Sequence, residues 1–351
     1  MIQINDTSKV YIVSPYHKTG GPRSLHQLAN LLTKYSHNVY IFYDEKKKLK
    51  NKELLYPECG AKLATNIEDD SNNIVITSEY DTGILLNLSK TKNIIWWLSL
   101  DYYLITNPLI YTKMKLRNQS WNKILGIPIF AKRLLFTIFN GKVNYFYKKN
   151  DLKKVNHLYN CEYVRNYLLK NNVSEKSMHY LCGPIISTKV NESIIKNKQD
   201  IVVYNPAKAN KKILQRVIDI VSHLDKDIKF IALKDMDHNE VLEILSRAKL
   251  YIDLGYFPGP ERTPREAVIN FCNILTSTSG SAANNIDVPI NNEYKFNLEG
   301  KGIETSISEK IINMINNYET DLKDFDTYRQ KVYEQKERFL CDIKEIFGVK
   351  S

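Results

Sequence analysis

Apolar positions along the chain fall into two alternating patterns. Short continuous runs, Val10-Tyr-Ile-Val-Ser-Pro, Val39-Tyr-Ile-Phe-Tyr, Ile74-Val-Ile-Thr and Ile94-Ile-Trp-Trp-Leu-Ser, predict strands buried on both faces. Between the first two, the turn Lys18-Thr-Gly-Gly-Pro leads into Ser24-Leu-His-Gln-Leu-Ala-Asn-Leu-Leu, whose apolar residues recur at helical spacing. That connection is long enough for a right-handed parallel crossover. Shorter strands are predicted at His157-Leu-Tyr-Asn and near His179-Tyr-Leu, with a helix from Glu162 to Lys170 between them. A polar, Lys/Asn/Ser-rich stretch from Ser187 to Asp200 then reads as a linker, after which the pattern restarts. Its strands are Ile201-Val-Val-Tyr, Ile228-Lys-Phe-Ile-Ala-Leu, Leu250-Tyr-Ile-Asp-Leu and Ile274-Leu-Thr-Ser, and its helices run from Lys211 to Leu224, His238 to Ala248 and Arg262 to Phe271. The residues from Ser306 to Ile346 are helical in pattern and rich in charge, suited to packing on their own domain or crossing back to the first. The fold class is therefore α/β, with two doubly wound domains facing across a cleft at the carboxyl ends of their strands. The expected boundaries are 1–186, 187–320 and a C-terminal helical part at 321–351.

Composition supports ordered domains: 351 residues, 43% of them hydrophobic, with only 13 Gly and 11 Pro, exclude a disordered or collagen-like chain. The formal charge of +11 becomes informative once it is located. From Tyr102 to Asn150 there is no acidic residue and there are nine basic ones, and the rest of the chain carries 41 basic against 39 acidic residues. A uniformly basic, nucleic-acid-coating protein is thereby disfavoured. The segment 102–150 interleaves its lysines and arginines with Trp121, Phe130, Leu134, Leu135, Phe136, Ile138, Tyr145, Phe146 and Tyr147, a mixture that suits an anionic membrane surface. The alternative is a helical hairpin with its apolar face on the core and its lysines in water. The most apolar stretch, Ile124 to Phe139, is interrupted by Lys132 and Arg133 and is too short to span a bilayer. The N-terminal residues lack the basic and apolar regions of a signal peptide, and five scattered cysteines form no Cys-x-x-Cys pair. A cytoplasmic location, peripheral to the inner face of the membrane, is expected.

The chemistry concentrates in Asp253-Leu-Gly-Tyr-Phe-Pro-Gly-Pro-Glu-Arg-Thr-Pro-Arg-Glu-Ala-Val, which runs from a buried strand through a Gly/Pro-rich loop into a helix. Free N–H groups at that helix start, with Arg262 and Thr263, make an anion site for a diphosphate. Glu266, one turn in, is placed to accept hydrogen bonds from sugar or ribose hydroxyls. The competing reading is an ordinary helix start with Pro264 in its first turn and charges facing water. Gly20-Gly21 lets backbone approach a phosphate closely or only forms a turn. Lys208 is either a cation beside a bound phosphate or a solvated lysine near Lys211 and Lys212. Ser279-Gly280-Ser281-Ala282 supplies hydroxyl and N–H donors or a tight connection. Asp101, read as the end of a dry strand, is a general base or a cap. His17 and His26 are cleft residues or structural ones. Asp235-Met-Asp237 spells a metal-binding Asp-x-Asp, but Asp237-His-Asn-Glu240 is also a capping box before a helix, and Asp69-Asp70 reads as a solvated turn. No metal is predicted.

The loop and helix resemble the nucleotide-sugar site of glycosyltransferases of the two-Rossmann GT-B architecture, especially glycosyltransferase family 4. Glu266-Ala267 matches the second half of that family's Glu-x7-Glu motif, while Pro258 stands where its first glutamate would be. Pro258-Gly-Pro-Glu-Arg-Thr-Pro-Arg-Glu-Ala is similar to a branch found in bacterial capsule and lipopolysaccharide gene clusters. Thr19-Gly-Gly-Pro-Arg-Ser-Leu-His-Gln-Leu, Trp96-Trp-Leu-Ser-Leu-Asp, Tyr204-Asn-Pro-Ala-Lys and Tyr251-Ile-Asp-Leu-Gly extend the resemblance over most of residues 10–290. It implies metal-independent transfer of a sugar from a nucleotide sugar to a saccharide acceptor, lipid-linked and presented at an anionic membrane, with no cofactor and no nucleic acid. It assigns the donor to Asn205, Lys208, Leu233, Glu261, Arg262, Thr263, Arg265, Glu266 and Ser281, the acceptor-side phosphate loop to His17, Gly20 and Gly21, and catalysis to Asp101 and Glu266. The rival expectations are an inactive nucleotide-sugar or glycan-binding scaffold and a sugar-nucleotide epimerase.

Overall fold

A computed structural model describes residues 2–43, 53–80, 82–118, 123–139, 149–185, 189–207 and 209–349. Two compact units emerge: 1–113 with 126–183 and 337–351, and 184–336 with 114–125.

The first unit is built on a seven-stranded, wholly parallel sheet. Its strands are β1 (Val10–Ser14), β2 (Val39–Tyr43), β3 (Lys62–Ala64), β4 (Ile74–Ser78), β5 (Lys92–Trp97), β6 (Asn156–Tyr159) and β7 (Met178–Tyr180). They lie in the order β3-β2-β1-β4-β5-β6-β7, a Rossmann-like order that reverses between β1 and β4. Side chains alternate between the two faces, and both faces are covered. Val10, Ile12, Ile76 and Trp96 join one core, and Tyr11, Val13, Val75 and Trp97 the other. The first core also contains Phe339, Ile343, Ile346 and Phe347, from the end of the helix Asp326–Phe347. Backbone bonds from Ile2 N to Ile346 O (2.7 Å) and Ile4 N to Phe347 O (3.2 Å) fasten that end to the chain's start.

The second unit carries a five-stranded parallel sheet of β8 (Gln199–Tyr204), β9 (Lys229–Ala232), β10 (Ala248–Asp253), β11 (Asn273–Ser277) and β12 (Lys295–Phe296). The order β12-β11-β10-β8-β9 reverses between β8 and β10, which makes the carboxyl edge there the expected ligand position. The helix Lys211–Leu224 is N-capped by Asn210, whose side chain accepts from Ile213 N. Helix His238–Arg247 is closed by the full capping box: Asp237 accepts from the N–H groups of Asn239 and Glu240, and Glu240 Oε2 accepts from Asp237 N at 2.6 Å. The carboxylate of Asp237 is thereby committed to a helix start.

The segment 102–150 is helical where described, at Pro108–Asn118 and Gly126–Phe139 above all. Arg133 fixes the second helix by donating to Ile105 O (3.0 Å) and stacking 4.6 Å from the Tyr111 ring centroid. Nine of the thirteen large apolar side chains exposed among the described residues lie between Tyr102 and Ile138, Ile124 and Ile127 at 76% and 79%. Tyr103 and Thr112 of the same segment are buried. Trp121, Lys142, Tyr145, Phe146, Tyr147 and Lys148 lie outside the described residues. Among the described residues, no helix is long and apolar enough to cross a membrane.

Candidate functional site

In the second unit, the loop that follows β10 is stitched to its neighbours. Asn210 N donates to Leu254 O (2.9 Å), Ala209 and Gly255 form a bridge, and Ser281 N donates to Phe257 O (2.8 Å). Ser281 Oγ donates to Gly259 O at 2.7 Å, and Ser277 Oγ to Gly255 O. Gly280 sits at φ +60° with the Phe257 carbonyl so close that a Cβ would come within 1.8 Å of its oxygen, so only glycine fits. Beneath the loop, burial pushes the Tyr251 phenol well above its ordinary range, and the Asp253 carboxylate adds to the effect. The phenol therefore stays protonated and donates to Asp253 Oδ2 at 3.0 Å. At this edge lies a cleft of about 410 Å³ lined by Asn210, Leu254, Gly255, Tyr256, Thr278, Ser279, Gly280, Asn297, Leu298 and Glu299.

The helix Arg262–Ile269 starts from this loop. Glu261, its N-cap residue, makes no side-chain cap, and Pro264 has no N–H to lose. Arg262 Nε donates to Glu266 Oε1 at 2.5 Å across one turn, and Glu266 is buried. Arg262 Nη2 donates to His238 Nε2 at 3.0 Å, and His238 Nδ1 stands 3.8 Å from the same Glu266 oxygen. Thr263 is half-buried beside them. Arg265, in contrast, is buried: it donates to the Glu261 carbonyl (3.1 Å), the Pro260 carbonyl (3.0 Å) and Gln335 Oε1 (2.7 Å). It braces the loop against the helix Asp326–Phe347. Ser281 likewise spends its hydroxyl and its N–H on the loop.

Asn205 Oδ1 accepts from Ala207 N (3.0 Å), shaping the turn after β8, and Leu233 N donates to Tyr204 O (2.8 Å), joining the ends of β8 and β9. Lys208 lies outside the described residues. The structure thus brings Arg262, Thr263 and Glu266 together, uses Arg265 and Ser281 as braces, and adds His238. In the sequence His238 is only the first residue of a capped helix. Its signal was its position, directly after a capping aspartate at the same edge of the sheet.

In the first unit, helix Gly20–Leu32 starts at the double glycine. Neither glycine has positive φ, a Cβ on Gly20 would meet nothing within 4 Å, and one on Gly21 would meet only Leu98 Cδ1 at 3.7 Å. The fold of this unit does not require either glycine. His17 is exposed, with Nδ1 3.1 Å from Thr19 Oγ1. His26 is structural: burial lowers its pKa, and it bonds Pro22 O (2.7 Å) and Tyr43 Oη (2.9 Å).

Asp101 departs from expectation. β5 ends at Trp97, and Asp101 sits half-buried in the first turn of the short helix Leu100–Leu104, because Ser99 starts a helix where a longer strand was read. The carboxylate at a dry strand end is Glu79, which follows β4, is 3% exposed and accepts from Leu98 N at 2.8 Å. Asn160, following β6, donates to Leu98 O at 2.9 Å. Asn160 Oδ1 and Ser99 Oγ are buried without a hydrogen-bond partner among the described residues. In the sequence Glu79 is marked only as a charge one serine beyond the β-branched run Ile74–Thr77. The turn at Asp69-Asp70 is more than solvated: desolvation raises the Asp69 carboxyl, but together the N–H groups of Ser89, Lys90 and Thr91 outweigh it and hold the carboxyl down at about 2.

No family model and no curated protein sequence matches the chain. Solved structures do. Sucrose-phosphate synthase from Thermosynechococcus elongatus superposes with a TM-score of 0.60 at 10% identity, over 97% of this chain and 98% of that one. WaaG, a glycosyltransferase involved in lipopolysaccharide biosynthesis, gives a TM-score of 0.52 at 10% identity, covering 94% and 98%. TarM of S. aureus, solved in one case in complex with UDP, gives a TM-score of 0.51 at 14% identity, over 80% of this chain. The chain spans only a little over half, 56%, of TarM's length. Two Rossmann-like parallel α/β units and this likeness establish the chain's architecture as that of the GT-B fold.

Proposed function

We propose that this protein is a glycosyltransferase that moves a sugar from a nucleotide donor to a saccharide acceptor, lipid-linked and belonging to a bacterial surface polysaccharide such as capsule or lipopolysaccharide. One observation carries the reading: a buried carboxylate, Glu266, holds a half-exposed guanidinium, Arg262, at an uncapped helix start on the carboxyl edge of the second sheet. Cations and free N–H groups there suit a diphosphate, whose negative charge grows as its bond to the anomeric carbon breaks. The acceptor oxygen forms the new bond, its proton leaves to a base, and the nucleoside diphosphate departs. In this reading Lys208, Arg262 and Thr263 meet the diphosphate charge in place of a metal, Glu266 orders donor hydroxyls, and Asn205, Leu233 and Glu261 border the donor. Arg265 and Ser281 shape the loop around it.

His17, Gly20 and Gly21 form the acceptor-side loop, and Asp101 is the base, with Glu79 as the second carboxylate of that unit. Exposed apolar side chains and lysines at 102–138 support docking on the inner face of an anionic membrane, where the acceptor lipid resides.

The deciding experiment incubates the protein with a panel of nucleotide sugars and measures binding, donor hydrolysis and transfer. Arg262→Ala is expected to weaken donor binding roughly tenfold or more, as befits a lost charge-assisted contact, with the fold intact by circular dichroism. Asp101→Asn is expected to lower turnover more than donor affinity. Binding without hydrolysis or transfer across the panel identifies a scaffold, and conversion of the donor without acceptor identifies an epimerase.

A further inference from the structure

Resting on that donor-site reading, we propose that His238 is a positioning residue for the donor's diphosphate: with Glu266 it clamps Arg262 by two of its three nitrogens and leaves Nη1 for a phosphate oxygen. Arg262 Nε donates to Glu266 at 2.5 Å and Nη2 points at His238 Nε2 at 3.0 Å. Nη1, with two N–H groups, has no partner among the described residues. A guanidinium only donates, so the His238 nitrogen facing it is the acceptor, and the proton of the neutral ring sits on Nδ1. That nitrogen is 3.8 Å from the same Glu266 oxygen, beyond hydrogen-bond distance, so the carboxylate holds Arg262 directly and faces the histidine across a gap.

The two halves of the clamp come from different elements. Glu266 is one turn along Arg262's own helix, whereas His238 opens the helix after β9. Held through Nε alone, a long side chain 36% exposed keeps several rotamers, and a ligand has to select one. The second anchor makes that selection during folding. Immobilising one such side chain costs a binding event about 3–10-fold in affinity, which is the benefit His238 confers. The site so prepared is an anion site at a helix start, suited to the diphosphate of a nucleotide sugar.

The test compares wild type, His238→Phe, which keeps a ring without the acceptor, and His238→Gln, which restores an acceptor at similar reach. Affinities are measured for ADP, CDP, GDP, TDP, UDP and inorganic pyrophosphate, and for the nucleoside of the tightest ligand. His238→Phe is expected to weaken the best diphosphate and pyrophosphate by about 3–10-fold, raise the donor KM by the same factor with kcat little changed, and spare the nucleoside. His238→Gln is expected to stay within about twofold of wild type. Equal affinities for wild type and His238→Phe, or a Gln variant as weak as the Phe variant, overturn the role of His238 while leaving the donor site standing. A wild type that binds none of the six overturns the donor-site reading, and with it the anion assigned to Nη1. Nitrogen NMR of the imidazole checks the clamp without any nucleotide: the Nδ1–H tautomer is expected, and a ring unaffected by Arg262→Leu overturns it.

Discussion

Single residues divide here into those the fold needs and those it does not. Gly280 belongs to the first kind: its left-handed backbone and the carbonyl a Cβ would strike predict that Gly280→Ala costs about 2–4 kcal/mol in chemical denaturation. Gly20 belongs to the second, and Gly20→Ala is expected to change stability by less than about 1 kcal/mol while lowering transfer activity, since only a ligand would meet the added methyl. Asp342 offers a pH test. Burial raises its carboxyl to about 6, Arg338 at 3.8 Å pulling the other way. The folded chain then binds more protons than the unfolded one between about pH 6 and the ordinary carboxylate value, so this residue adds stability as pH falls through that window and withholds it above. Asp342→Asn is expected to stabilise the protein by about 1–3 kcal/mol at pH 7, with the gain vanishing near pH 4, as thermal melts across pH would show. At this scale the sequence disclosed residue types but not their partners. Arg262, Arg265 and Glu266 stood out alike within nine residues, yet Arg265 turns inward because Gln335, seventy positions on, and two loop carbonyls await it. His238 was obscure for the same reason, since its partner is an arginine twenty-four positions away.

Elements were more legible, because they depend on neighbours in sequence. Every strand with a continuous apolar run was found where expected. The two that escaped, β3 and β12, are edge strands of three and two residues, too short for a period and with only one neighbour to pair. Helix Gly20–Leu32 begins four residues before its apolar stripe, since a glycine pair and a proline read as a turn although the first turn of a helix tolerates both. β5 was read two residues too long because Leu98 continues its apolar run, and that misplaced Asp101. Within the Asp-x-Asp at 235–237, Asp237 is the N-cap of helix His238–Arg247. Asp237→Ala should therefore cost about 1 kcal/mol of stability, the worth of an N-cap, and EDTA should leave transfer rates unchanged. A rate restored by added divalent metal would contradict the metal-free reading.

Across the whole molecule, the charge of +11 is concentrated where apolar side chains stay in contact with solvent. Cosedimentation with vesicles is expected to show binding to anionic but not zwitterionic lipid, weakening between about 0.1 and 0.5 M salt as charges are screened. Ile127→Asp with Leu135→Asp should reduce that binding at least tenfold, since both side chains are exposed and apolar. Fold class was legible because two strand–helix patterns separated by a polar stretch permit few architectures. The assignment of residues 337–351 to the first unit was not, because a charged helix carries no mark of which core it will join. That assignment bears on biosynthesis. One face of the first sheet waits for Phe339, Ile343, Ile346 and Phe347, while residues 184–336 of the second unit are made in one continuous stretch. At about 5–20 residues per second, the early strands β1 to β5 emerge roughly 12–65 s before Phe339 and the residues after it. During translation that face of the first sheet is therefore covered only in part, by Leu25, Leu28 and Leu32 of helix Gly20–Leu32, until residues 339–347 have been made.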